Sequence, residues 1–253
     1  MADENPYEST KSTPTVASGN PALVILGKLF LACVVLLIVA AMLMPLNRGG
    51  ANRAARRMRC QNQMKQITLA LLNYDAAHGK LPPAYTVDDE GRPLHSWRTL
   101  ILPYVEQGDL YDSIDLTKPW DDPVNAHARE AVVDAYLCPS ADHEASRTTY
   151  QVVAGAGYVF DGAKPMEFYD ITDGPERTLL VVDVAADYAV EWMAPQDSTL
   201  EAVYQQFVEQ EFNHPSGMQV GFADGHASML DASSTREALR SMLTIAGGEQ
   251  VEE

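Results

Sequence analysis

The sequence predicts an α+β fold: an N-terminal transmembrane helix that continues into a helix packed on a mostly antiparallel sheet. Three patterns carry it. One unbroken apolar run fills Ala22 to Met44, a single amphipathic stripe runs from Cys60 to His78, and short β-rich segments gather after Thr149.

Met1 to Pro21 holds Ser, Thr, Pro, Asn and acidic residues with few large apolar side chains, so residues 1–21 are expected to be a disordered tail. The 23 residues of Ala22 to Met44 would reach roughly 34 Å as a helix, enough to cross a bilayer core. Lys28 is the one charge in the run and lies near enough to its start to snorkel to the interface. A cleaved secretory signal needs a short apolar core and a small-residue cleavage site, whereas Val39 to Pro45 reads Val-Ala-Ala-Met-Leu-Met-Pro. Residues 22–46 are therefore read as an uncleaved signal anchor that partners membrane lipid through one helix, and 47–253 as the head.

A helix is expected to resume after Gly49-Gly50 and to occupy about 51–78. Cys60, Met64, Ile67, Leu71, Tyr74 and His78 recur at steps of four and three, the spacing of one buried face. Gly79 ends that helix, with Pro82 and Pro83 just beyond. Tyr85 to Val87 and Arg92 to Leu94 flank Asp88-Asp89-Glu90-Gly91, a hairpin pattern. Ser96 is placed to cap Trp97 to Glu106, which Pro103 must divide, and Asp122-Pro123 has the order of a helix start. Thr149 to Val153, Thr178 to Val184 and Met218 to Ala223 read as strands. Asp224-Gly225 then turns the chain into a further strand, His226 to Leu230. Ser198 to Glu209 and Ser233 to Ile245 read as helices, and Glu249 to Glu253 as a loose acidic end.

Charge divides sharply. Residues 1–65 carry 8 Lys and Arg against 3 Asp and Glu, and the remainder 10 against 32, for a net −17. So acidic a head repels nucleic acid, which is excluded as a partner. Its acidity reads first as a solvated surface. Calcium is the one cofactor that the acidic groups Asp109, Asp112 and Asp115, or Asp121 and Asp122, suggest. They lack the glycine-punctuated spacing of a calcium loop, so solvation or helix capping is the preferred reading and no cofactor is assigned. The basic cluster Arg48, Arg53, Arg56, Arg57 and Arg59 follows the span, and by charge alone would hold the head in the cytoplasm. Cysteines point the other way. Cys33 lies in the span, and Cys60 with Cys138 is the head's sole pair, open either to one disulfide and an oxidising compartment or to two buried free thiols.

His214-Pro215-Ser216-Gly217 precedes the strand that ends at Asp224-Gly225. His214 has three readings: pairing with a carboxylate, ligating a metal with His226, or bonding buried backbone. A structural role is preferred for His214, Asp224 and Gly225. Catalytic patterns are missing. Gly155-Ala156-Gly157 lacks the third glycine of a dinucleotide loop, and His143-Glu144 lacks the second histidine of a zincin helix. No Gly-x-Ser-x-Gly elbow, phosphate loop or Cys-x-x-Cys is present. Trp97, Trp120 and Trp192 read as core anchors before they read as a binding groove.

A series of short motifs resembles one bacterial family. In order they are Arg56 to Asn62, Lys65 to Leu71, Asn73-Tyr74, His78-Gly79, Leu81 to Tyr85, His95-Ser96-Trp97-Arg98, Leu102 to Gln107, Pro119-Trp120-Asp121, Cys138-Pro139-Ser140 and His214 to Gly225. That family is the prepilin-type "domain of unknown function" group typical of planctomycetes, with a C-terminal His-x9-Asp-Gly signature carried here by His214, Asp224 and Gly225. The resemblance implies a type IV pilin-like or pseudopilin-like head outside the cytoplasmic membrane, in a single-pass protein. It also implies export despite the basic cluster and a Cys60–Cys138 disulfide, worth about 2–4 kcal/mol if unstrained. The chain departs from the pattern at the start of its apolar helix. Asn20-Pro21-Ala22-Leu23 stands where members have a Gly-Phe processing site, and Lys28 near where they have a glutamate. A permanently anchored variant is therefore expected, with a structural or secretion-related, non-catalytic role and other pilin-like or secretion-system proteins as partners. The alternative is a tethered binding module for a cation, glycan or small solute. An envelope hydrolase built on His214, Asp224 and His226 ranks last.

Overall fold

The computed structural model describes residues 21–43 and 48–245. Residues 1–20 of the predicted tail, the end of the span and the acidic terminus lie outside those residues, while Pro21, expected in the tail, opens the first helix. Two units are distinguished, one ending at Gly49 and the other beginning at Gly50.

In the first unit, α1 is Pro21–Leu43. Its segment Pro21–Val39 has a mean hydropathy of 3.0, and its large side chains, Leu23, Phe30 and Leu36 among them, are exposed. Helix α1 is long and apolar enough to cross a membrane.

The long helix α2, Arg48–His78, takes Gly49 and Gly50 into its first turn, where the sequence had suggested a break. Asn52 to Arg59 are exposed, whereas Cys60, Met64, Ile67 and Leu71 are fully buried, so the predicted stripe is a real core face. The stripe gives out toward its end, where His78 is exposed and stacks on Tyr74 at 4.0 Å. Gly79, at φ 73°, donates its N–H to Asp75 O and closes the helix.

The hairpin pairs β1, Tyr85–Val87, with β2, Pro93–Ser96. Ser96 caps α3, Trp97–Leu100, by accepting from Arg98 N, and Pro103 starts a separate 3-10 turn, Leu102–Val105. Next come α4, Gly108–Asp112, and α5, Ala126–Arg129, the latter entered through a 3-10 turn capped by Asp122. Strand β3, Arg147–Thr148, pairs with β6, Val190–Glu191, as a separate ribbon.

The main sheet is antiparallel throughout, in the order β4 (Tyr150–Gln151), β5 (Leu179–Asp183), β7 (Gly217–Phe222), β8 (Ala227–Asp231). Beside it lie α6, Leu200–Glu209, and α7, Arg236–Leu243, capped by Thr199 and Thr235. Alternation along β7, and along β5 apart from the irregularity between Leu179 and Val181, separates two cores. Cys60, Met64, Ile67 and Leu71 of α2 share one with Leu180, Val181, Trp97 and Trp192; Leu200, Val203 and Phe207 of α6 and Leu239 of α7 share the other with Val182, Met218, Val220 and Phe222. The sheet is thus covered on both faces.

Gly221 sets how closely α2 can lie on the sheet. A Cβ there would stand 2.3 Å from Thr68 Cγ2 and 3.2 Å from Met64 Cγ. Only a residue without a side chain admits the helix at this depth. Gln61 Nε2 donates to Ala227 O at 3.1 Å and fixes the helix to β8.

Candidate functional site

His214, Asp224 and Gly225, the residues that the resemblance set apart, part company in the structure. Asp224 and Gly225 form the tip of the β7–β8 hairpin, where Gly225 takes φ 90° and lies under Leu69 of α2. Asp224 binds its neighbour: His226 Nδ1 and Asp224 Oδ1 are 2.5 Å apart, and the His226 ring stacks on Phe222. His214 lies before the other end of β7, a strand of six residues, so roughly 20 Å of extended chain separates it from the tip. Neither the hydrolase grouping of His214, Asp224 and His226 nor a metal pair of His214 with His226 is assembled.

What His214 meets instead is the cysteine pair. Cys60 is on α2, Cys138 follows a 3-10 turn at Asp134–Tyr136, Asp183 ends β5, and His214 lies in the loop before β7. Among the described residues they form a group whose ligand atoms all lie within 4.8 Å of one another. All four are at most 3 % exposed. The Sγ atoms of Cys60 and Cys138 stand 2.7 Å apart as free thiols. This brings together the two cysteines the resemblance paired, at a separation longer than a disulfide bond of about 2.05 Å.

The carboxylate is held in place from behind. Asp183 Oδ1 accepts from Thr149 Oγ1 at 2.5 Å and from Asn213 Nδ2 at 2.9 Å, while the same Asn213 amide donates to Val184 O at 2.7 Å. That leaves Oδ2 facing the thiols. It lies 3.3 Å from His214 Nε2, yet accepts no directed hydrogen bond. His214 Nε2 is itself oriented toward Cys138 Sγ, at 3.8 Å.

Charge in this pocket is strongly coupled. The hydrogen bond from Cys138, helped by His214, outweighs burial and the Asp183 charge and draws Cys60 down to about 5. The same thiol contact, with burial, pushes Cys138 up. Burial works against a charged His214, but the Asp183 carboxylate and the Cys60 sulfur prevail and raise the imidazole to about 9.

A nucleophile, histidine and carboxylate together suggest a catalytic triad. The geometry differs in one decisive respect. A triad uses the two ring nitrogens separately, one toward the nucleophile and one toward the acid. Here one atom, Nε2, faces both Cys138 and Asp183. The group converges on one point instead of passing through the ring, and all four residues are buried.

The other expected features resolve as structure. Trp97 and Trp192 are buried in the core, and their indole N–H groups donate to Asp197 and to Ala131 O. Trp120 is packed against the same core. Asp122 caps a 3-10 turn, whereas Asp115 accepts from Thr117 N within a turn that starts no helix. Sequence reasoning did not single out Asp183 or Asn213. The signal available was Asp183 itself, the one charge in the otherwise apolar strand Thr178 to Val184.

Among known proteins, one family, described as "Protein of unknown function (DUF1559)", matches residues 50–161. The match takes in Cys60, Arg98 and Cys138 and ends before Asp183 and His214. No curated protein and no solved structure matches the chain.

Proposed function

We propose that this is a single-pass protein of the cell envelope, anchored in the cytoplasmic membrane by α1. Its pilin-like head stands on the extracytoplasmic side and has a structural or secretion-related, non-catalytic role. One observation carries the reading: a membrane-length apolar helix precedes a long helix whose second half is laid on an antiparallel sheet. The likeness to a family of unknown function is compatible with it. The sealed thiol site and the dispersed signature residues favour structure over catalysis. Partners are other pilin-like or secretion-system proteins, met through the head.

Topology and partnership are tested together. In cells producing the full chain, carbonate should leave it in the membrane, protease added to spheroplasts should digest the head, and crosslinking should capture envelope proteins. A head that is cleaved only after the membrane is breached places it in the cytoplasm and ends this reading.

A further inference from the structure

We propose that Cys60, Cys138, Asp183 and His214 bind one thiophilic divalent transition-metal ion of the zinc class, as a closed site that ties α2 to the sheet. The inference goes beyond the topology proposed above, and it needs Cys60 and Cys138 as free thiols in place of the disulfide that the resemblance implied.

The donor set fits such an ion. Two thiolates, an imidazole and a carboxylate are the ligand types zinc takes, four is its usual number, and structural sites are closed to water. Calcium would demand a shell of oxygens, and this pocket offers one carboxylate.

The spacing fits as well. Bond lengths of about 2.0–2.3 Å place the ligands of a tetrahedral ion about 3.3–3.8 Å apart. His214 Nε2 lies 3.3 Å from Asp183 Oδ2 and 3.8 Å from Cys138 Sγ, the edges of that tetrahedron. The sulfurs, at 2.7 Å, must part by about 1 Å on loading. Cys138 can supply this movement, because it lies in an irregular segment while Cys60 is held in a helix.

Two further features point to a cation at this place. Asp183 Oδ2 is wholly buried without a hydrogen bond, although its sister oxygen has two donors. Those donors act as an outer shell that aims the free oxygen inward. Nε2 is turned on the same point. Binding releases to solvent whatever protons the two sulfurs and His214 Nε2 hold, and involves no electron transfer.

The test uses the full chain in detergent, reduced with a phosphine and freed of metal, then titrated with Co2+ and with Zn2+. One Co2+ per chain should bind, with thiolate-to-cobalt charge-transfer absorption and the ligand-field bands of a tetrahedral ion, and Zn2+ should displace it. Cys138→Ser and His214→Gln should abolish the signal, and Asn213→Ala should weaken binding about 10–100-fold through the outer shell. X-ray absorption on the zinc-loaded wild-type chain does not depend on variants folding, and should show two sulfur neighbours at about 2.3 Å and two lighter ones near 2.0 Å. A reduced wild-type chain that takes up no metal overturns the proposal. So does a signal that survives Cys138→Ser, a sulfur-free shell, or a Cys60–Cys138 disulfide that persists in the purified chain under reduction.

Discussion

Two buried polar centres lie in the head, and they are built on opposite principles. At Arg98 every guanidinium nitrogen is used: Nε donates to Trp192 O, Nη1 to Tyr150 O and the Asp197 carboxylate, and Nη2 to Ala194 O and Gln196 O. The guanidinium also lies 5.1 Å from the Trp97 ring centroid. Around Cys60, Cys138, Asp183 and His214 the atoms face each other with little hydrogen bonding among them. Each centre leaves one carboxylate oxygen without a partner, Asp197 Oδ2 and Asp183 Oδ2. An orphan oxygen alone is therefore no sign of a ligand site. The company it keeps decides: Asp197 is bound to a permanent cation that neutralises it, whereas Asp183 faces two sulfurs and an imidazole whose charge comes and goes with its proton. The first centre is complete as it stands, and the second gains from an added cation.

The largest expected effect falls on the complete centre. Arg98→Met leaves Asp197 charged and sealed, and four carbonyls without their donor. Breaking a buried pair from one side costs about 3–5 kcal/mol, read as a lowered urea midpoint by the fluorescence of buried Trp97 and Trp192. A cost below about 1 kcal/mol, the range of exposed pairs, would erase the contrast between the centres. They also touch. Tyr136 Oη donates to the main-chain Arg98 O at 2.6 Å, two residues before Cys138, a bond that Arg98→Met keeps.

Metal should act on the second centre alone. In the reduced chain, Zn2+ at 100 times its dissociation constant stabilises by about 2.7 kcal/mol through mass action. The melting temperature should rise with zinc in the wild type and stay fixed in Cys138→Ser. Equal shifts in both chains would move the ion to another place, with Asp224 and His226 at the hairpin tip the first to suspect.

Gly221→Ala asks how far the second centre depends on helix placement. The new methyl meets Thr68 Cγ2 at 2.3 Å, so α2 must lift from β7 and carry Cys60 with it. Overpacking of this kind costs about 1–3 kcal/mol, and metal affinity should fall in step. Unchanged stability would mean that α2 is not held at this depth by the sheet.

How much of this could be read from the chain differs between the two scales. Local rules held at most positions where one residue type forces the backbone, though not at Gly49-Gly50, which α2 takes into its first turn. Gly79 ended α2, Ser96 and Asp122 capped turns, and Asp224-Gly225 made a hairpin. The strand read at Thr149 to Val153 shrank to Tyr150–Gln151, because β4 is an edge strand paired only to β5 over two residues. The covering of the sheet's second face by α6 and α7 was not legible, since amphipathy says that a helix buries a face and not against what. The thiol centre was half legible. Cys60 on the stripe and His214 in its motif were both marked, but Asp183 reads as a lone acid in a strand until the fold sets it beside them. Arg98 shows the same limit, because its five bonds run almost entirely to backbone carbonyls that no sequence pattern names.

The smallest effect compares two histidines. His214, beside a carboxylate and sulfur, is raised to about 9. His95 is equally buried but has no such company, and burial lowers its pKa despite the hydrogen bond to Lys118 O and the nearby Asp115. Nε2 lies 2.7 Å from Lys118 O, which fixes it as the donor, and Nδ1 has no partner. A pKa lowered on folding means that the unfolded chain binds the proton more tightly. The stability this residue contributes is therefore complete above the unfolded value of about 6.5 and is lost as pH falls through the lower folded value. Urea midpoints measured from pH 7.5 down to 5 should fall less steeply in His95→Gln than in the wild type, by a fraction of a kcal/mol up to about 1 kcal/mol. Parallel slopes in the two chains would mean that His95 takes up its proton without leaving its bond to Lys118, and that burial alone does not set the two histidines apart.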